Sequence, residues 1–325
     1  RPETHAIVKL FRLITEQARP GALLLTETNV PNQENLSYFG QADEAHMVYQ
    51  FALPPLLLHA LNRGTEKYLM QWAGALPDYP EGCSVLNFTA SHDGIGLRSL
   101  EGLVPESEVT ELVDSMHRFG GFVSMRTLPD HSEKPYEINI SLFDAMKGTR
   151  RGEDQWQVQR FLCSQIIMLG LRGIPAVYIH SLLATPNDLA GVERSGRTRS
   201  INRRNWQIEE LLPELDNPIS MQSMVFHAMK DILAIRQQDP CFHPDNPQQV
   251  IAVSPGVLAF IRTDKNSNRE LLALHNLTMV YQKLDLPEYM DWFDLLSGER
   301  VEDIQMKPYQ SLWLSNAGEK NQSSS

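Results

Sequence analysis

Cysteine is scarce in this chain. Only Cys83, Cys163 and Cys241 occur, far apart and odd in number, so the spacing offers neither a disulfide framework nor a zinc cluster. Basic charge is also short: 29 Lys and Arg face 40 Asp and Glu, for a net charge of -11. That balance excludes the electrostatic footprint of a nucleic-acid or anionic-membrane binder and leaves any anion to be held by local basic residues. No apolar run reaches the roughly 18 residues that span a bilayer, and no cleavable signal is read ahead of the first strand. Heptads and internal repeats are absent. Asn-x-Ser/Thr sequons fall at Asn35, Asn87, Asn139 and Asn276, but Asn87 lies inside a strand pattern, so these are read as chance matches. With 325 residues, 42% of them hydrophobic, the chain can bury one large core plus a small second domain. A reducing cytoplasm is the expected compartment.

Up to about residue 235 the pattern alternates helix and apolar strand, as in parallel β/α units. A helix over 5–18 with an apolar side of Ile7, Val8, Leu10, Phe11, Leu13 and Ile14 leads to a strand at 22–26. A polar loop over 28–42 follows, then a strand at 46–52, helices at about 54–62 and 65–75, and a strand at 84–90. The segment 95–139 is too long for a simple loop and holds a helical piece, 105–119; it is read as an insertion. A strongly apolar helix, 156–171, precedes Ile174 to Ile179, taken as the last strand of this part, and a helix over 221–236 closes it. Beyond Pro240 the period becomes alternating, with strands expected at 249–253, 257–262, 270–276, 281–286, 292–294 and 310–314. The expected organisation is an α/β chain: the C-terminal part of a (β/α)8 barrel over 1–240 with its insertion at 95–139, an antiparallel β domain over 241–316, and a disordered tail over 317–325.

Two stretches carry the chemistry. Leu23-Leu24-Leu25-Thr26-Glu27 and Val85-Leu86-Asn87-Phe88-Thr89-Ala90-Ser91-His92-Asp93 are apolar strands that run into a carboxylate. A charge directly after an apolar run is costly in a core, so its economical place is the solvent-facing end of a parallel strand. In a (β/α)8 barrel that end is the active-site face. Paired carboxylates from different strands are the equipment of glycosyl-bond chemistry, one as acid/base and one supporting an oxocarbenium-like transition state.

These strands, together with Pro135-Tyr136-Glu137-Ile138-Asn139, Gly173-Ile174-Pro175-Ala176-Val177-Tyr178-Ile179 and Arg199-Ser200-Ile201-Asn202-Arg203, resemble the sucrose phosphorylase branch of the α-amylase superfamily, glycoside hydrolase family 13, in that family's order. The resemblance implies a retaining glycosyltransferase that moves an α-glucosyl unit between a small glucoside, such as sucrose or glucosylglycerate, and inorganic phosphate, without metal or organic cofactor. It places Glu27 on the general acid/base and Asp93 on the carboxylate that stabilises the transition state. His92 and Arg203 fall on residues that grip the glucosyl ring, and Tyr136 on the loop that meets phosphate or the acceptor. Glu137 stands where the sucrose-specific members have Gln, and with Lys134 beside it the acceptor is open among fructose, fructose 6-phosphate, glycerol and glycerate. The resemblance also demands a nucleophilic Asp in an Arg-x-Asp setting at an earlier strand end. Asp43 and Asp78 lack the preceding apolar strand and do not replace it, so the chain is expected to be the C-terminal portion of a longer enzyme and inactive alone.

Blander explanations stand beside these. Glu27 could cap a turn, and His92-Asp93-Gly94 could be a helix-stop turn. Gly94-Ile95-Gly96 is a weak nucleotide signal, since Ser99 occupies the third glycine position. The basic stretch 194–204 taken alone reads as a solvated surface, and Trp72, Trp156, Trp206, Trp292 and Trp313 read as core. An α-glucoside hydrolase and a sugar-binding chain without catalysis remain alternatives.

Overall fold

The computed structural model describes residues 1–316; the expected tail, 317–325, lies outside the described residues. Four short parallel strands form the first sheet, in the order Leu25–Thr26, Met47–Tyr49, Ser84–Asn87, Ile174–Pro175. Parallel neighbours need a crossover, and helices supply it. The helices Leu53–Arg63 and Lys67–Gly74 bridge the second and third strands, and Gln157–Gly170 leads into the fourth. Leu53–Arg63 is buried from Leu53 through Asn62, which is why its sequence is apolar on every side rather than on one stripe.

The strands are shorter than the sequence predicts, for two reasons. Past Asn87 and Pro175 the chain leaves the ladder for loops, so the expected strand at 174–179 ends at Pro175 and Ile179 instead starts a short helix, Ile179–Leu182. Leu25–Thr26 has only one neighbouring strand. Leu23 and Leu25 are accordingly 65% and 37% exposed, so the first carboxylate-bearing strand is an edge strand and not the buried one that its composition suggests. The opening helix, Pro2–Ala18, buries no residue, and Ile7, Leu10, Phe11, Leu13 and Ile14 stand on its open side. The expected polar loop after Glu27 contains a short helix, Asn32–Leu36.

Residues 95–139 form a unit of their own on this scaffold. The strands Ile95–Gly96, Glu133–Asn139 and Phe122–Thr127 make an antiparallel sheet in that order, and the helix Glu106–Arg118 packs against it through Leu112, Val113 and Met116.

The C-terminal part is antiparallel. Its main sheet runs Gln248–Ile251, Val257–Thr263, Glu270–Asn276, Ser311–Ser315, Phe293–Asp294, Glu299–Arg300, with a separate ladder between Gln282–Leu284 and Ile304–Met306. Side-chain alternation on the central strand explains how it is held. Leu271 and Ala273 join the large core together with Phe161 and Leu169 of the helix Gln157–Gly170. Leu272 and Leu274 join a second cluster with Leu284, Ile304 and Met306. Trp72 and Trp313 are core residues, as expected, whereas Trp206 is half-buried and lines a surface cleft with Arg204.

Candidate active site

All four parallel strands point the same way, so residues that follow them emerge at one end of the sheet. Glu27 comes directly after Thr26, with Tyr49 of the neighbouring strand beside it. The Glu27 charge adds to burial in pushing the Tyr49 phenol above its usual range. Glu27 is exposed, and its carboxylate takes no hydrogen bond or ion pair among the described residues. Tyr49, Phe51 and Phe88 form an aromatic group at this end, with centroids 5.4–5.8 Å apart.

Asp93 lies six residues beyond the third strand and is drawn back by two arginines. Arg199 donates from Nη1 to Asp93 Oδ1 at 2.8 Å, and Arg203 donates from Nη2 to the same oxygen at 3.2 Å. Arg203 Nε also donates to the His92 carbonyl at 2.7 Å, and Asn202 Nδ2 to the Asp93 carbonyl at 3.3 Å. Asp93 Oδ2 accepts no bond among the described residues. The remaining edge of the Arg199 guanidinium forks onto Glu137, Nε to Oε1 at 3.0 Å and Nη2 to Oε2 at 2.7 Å. Glu137 is only 4% exposed, and a buried carboxylate persists only when it is paired in this way. Its hydrogen bond, followed by the charges of Glu137 and Asp93, raises the Arg199 pKa further above its ordinary value against the cost of burial.

Glycine makes the approach possible. A Cβ on Gly94 would lie 2.5 Å from Glu137 Cγ and 2.6 Å from the Ile138 carbonyl. One on Gly96 would lie 2.3 Å from Asn29 Nδ2. The loop that carries Glu27 therefore touches the loop that carries Asp93, two residues past the one carboxylate and three past the other.

The sequence-predicted residues divide clearly. Asp93, His92, Arg203, Glu137 and Tyr136 are brought together: His92 Nε2 is 3.7 Å from Asp93 Oδ1, and Tyr136 lies near enough to influence Arg199. Glu27 joins them at the same end of the sheet. Lys134 does not join. On the strand Glu133–Asn139 it bonds Glu106 of the insertion helix. Asp43 is salt-bridged to Lys9, and Asp78 is 96% exposed beside Arg172, so neither sits at a strand end. Arg199, which sequence reasoning left in the solvated basic stretch, is the hub of the cluster. Its signal was its place four residues before Arg203, on a tight 3-10 turn, Thr198–Asn202, that aims both guanidinium groups at Asp93. Tyr49 was missed as well, although it ends an apolar strand as Glu27 does.

No protein-family model matches the chain. It is 39% identical over 330 residues to a glucosylglycerate phosphorylase of Spirochaeta thermophila, covering 96% of this chain and 56% of that protein. It is 38% identical over 315 residues to a glucosylglycerate phosphorylase of Escherichia coli, with the same two shares. A sucrose phosphorylase of Bifidobacterium adolescentis matches at 28% over 229 residues, 67% of this chain and 42% of that protein. Among solved structures, sucrose 6F-phosphate phosphorylase from Thermoanaerobacter thermosaccharolyticum superposes with a TM-score of 0.73 at 18% identity, over 94% of this chain and 56% of that one; this likeness concerns fold alone. The chain thus spans about half the length of these curated relatives. Homologous to the two glucosylglycerate phosphorylases over nearly all of its own length, the chain belongs to the sucrose phosphorylase-like branch of the α-amylase superfamily, glycoside hydrolase family 13.

Proposed function

We propose that this chain supplies two catalytic carboxylates of a retaining glycoside phosphorylase, which moves an α-glucosyl unit between a small glucoside and inorganic phosphate to give α-glucose 1-phosphate. The observation that carries it is the constellation at one end of the parallel sheet: Glu27 free at a strand end, and Asp93 fixed through one oxygen by Arg199 and Arg203 with its other oxygen unengaged. The four parallel strands are inferred to be an arc of a (β/α)8 barrel, which the open edge at Leu25–Thr26 and the uncovered apolar side of Pro2–Ala18 support.

In the first half-reaction Glu27 protonates the departing oxygen while a nucleophilic aspartate, assigned to sequence outside these residues, attacks the anomeric carbon. In the second, Glu27 removes the proton from phosphate as it attacks the glucosyl-enzyme. Asp93 accepts hydrogen bonds from ring hydroxyls through Oδ2, and these tighten as charge develops on the ring. Arg199 and Arg203 hold Asp93 in its aim. The insertion 95–139 shields the covalent intermediate from water.

The acceptor is proposed to be an anion such as glycerate. Both Glu137 oxygens are engaged by Arg199, so Glu137 bears on the acceptor only by holding that guanidinium in place. Lys134, bound to Glu106, is assigned no such part. The similarity to the two glucosylglycerate phosphorylases supports the same acceptor class.

The acid/base role is tested with Glu27→Gln in the full-length protein. Loss of the proton donor should slow transfer from a natural glucoside by roughly 10²- to 10⁴-fold, yet spare glucosyl-enzyme formation from α-glucosyl fluoride, whose leaving group needs no proton. Equal loss with both donors in burst kinetics would remove Glu27 from that role.

A further inference from the structure

A cleft of about 220 Å³ opens between the helix Leu53–Arg63 and the loop after the strand Glu270–Asn276. Asn62, Arg63, Thr149, Arg150, Arg151 and Thr278 line it, and Met279 and Val280 contribute an apolar rim. Three of these six residues are arginines, in a chain of net charge -11. Arg63 is already neutralised by Glu108 and Glu111. The side chains of Arg150 and Arg151 have no ion-pair or hydrogen-bond partner among the described residues. They occupy the tip of a tight hairpin between Gly148–Thr149 and Gly152–Glu153, which places both residues at the cleft. The hairpin is anchored there, because the Arg150 N–H donates to the Asn62 carbonyl at 3.1 Å and Arg118 donates to the Arg150 carbonyl at 3.1 Å.

Two unpaired guanidinium forks side by side suit an acceptor with several oxygens and negative charge. One feature opposes it: Asn62 and Arg63 end a helix, where the backbone dipole is negative. That dipole amounts to a fraction of a charge, and the Arg150 amide already bonds the Asn62 carbonyl, so two full guanidinium charges outweigh it. The cleft is below the size that encloses a drug-sized molecule, which limits the ligand to a small group.

We infer that this cleft is a second anion site that binds the phosphate of a small phosphomonoester, held by Arg150 and Arg151, with Met279 and Val280 against its organic part. A ligand there would bridge the helical part and the C-terminal sheet. The site does not depend on the proposed reaction.

The experiment is calorimetric titration of the protein with inorganic phosphate and with phenyl phosphate at constant ionic strength. It compares the parent, Arg150→Gln/Arg151→Gln, and Arg203→Gln, which weakens only the carboxylate cluster. Both arginines of the first pair are exposed, and an unchanged melting temperature will confirm that the double variant folds. Binding weakened roughly 10-fold or more in Arg150→Gln/Arg151→Gln, intact in Arg203→Gln and tighter for phenyl phosphate than for phosphate is the expected result. Absence of binding by the parent, or an affinity and stoichiometry unchanged in Arg150→Gln/Arg151→Gln, overturns the site.

Discussion

Arg199 makes more charged hydrogen bonds in the cluster than any other residue, and its consequences are open to test. Its fork holds Glu137, which is nearly out of solvent, and its third nitrogen holds Asp93. Removing the guanidinium leaves the Glu137 carboxylate buried and unpaired, a loss of roughly 1–3 kcal/mol for a stranded acceptor and more where it is charged. Arg199→Met should therefore lower the unfolding free energy by about that much, and Arg199→Met/Glu137→Met should recover part of it. A denaturant-melt double-mutant cycle reads the coupling directly, and additive effects would show that the fork carries no stability. That Glu27, Asp93 and Arg203 would gather at one end of the sheet was legible as sequence because each sits in a short motif at a strand or turn end. Arg199 was not, since its meaning depends on a partner 62 residues earlier, and a run of five arginines over 194–204 looks like a wet surface until the tight turn is seen. Lys134 failed for the complementary reason: adjacency to Glu137 suggested a shared role, but its side chain is taken by Glu106.

At the scale of elements, helices and the C-terminal strands were readable because burial imposes a period. The helices expected at 54–62, 156–171 and 221–236 lie at Leu53–Arg63, Gln157–Gly170 and Met221–Gln238. The expected strands 257–262 and 270–276 lie at Val257–Thr263 and Glu270–Asn276. The short pairings Glu299–Arg300 and Ile304–Met306 were invisible, since two or three residues carry no period. His275 shows what full burial does to such an element. It is wholly buried on the strand Glu270–Asn276, bonded through Nδ1 to Ser311 at 2.8 Å, with Nε2 unpaired. Burial pushes its pKa down to about 3 from 6.5. Because the unfolded chain takes up the proton first, His275 has no effect on stability above about pH 6.5. It costs about 1.4 kcal/mol per pH unit as the pH falls from there toward 3, where the folded imidazole begins to protonate. His275→Gln should flatten the acid limb of the stability curve in that window in pH-dependent chemical unfolding. An unchanged slope would mean that the folded imidazole already titrates near its ordinary range.

For the whole molecule, the parallel sheet, the insertion and the C-terminal sheet converge on one arrangement. A core shared by the helix Gln157–Gly170 and the strand Glu270–Asn276 holds the C-terminal sheet against the parallel part, while the opposite demands of Glu27 and Asp93, one free and one fixed, meet at a single end. Both carboxylates would serve a hydrolase equally well, so the distinguishing event is whether phosphate or water takes the glucosyl group. The decisive measurement is a product analysis by proton and phosphorus nuclear magnetic resonance of the full-length protein incubated with glucosylglycerate, with and without inorganic phosphate. The predicted result is α-glucose 1-phosphate, formed only when phosphate is present and with the α configuration retained. Free glucose released at the same rate in both samples would contradict phosphorolysis.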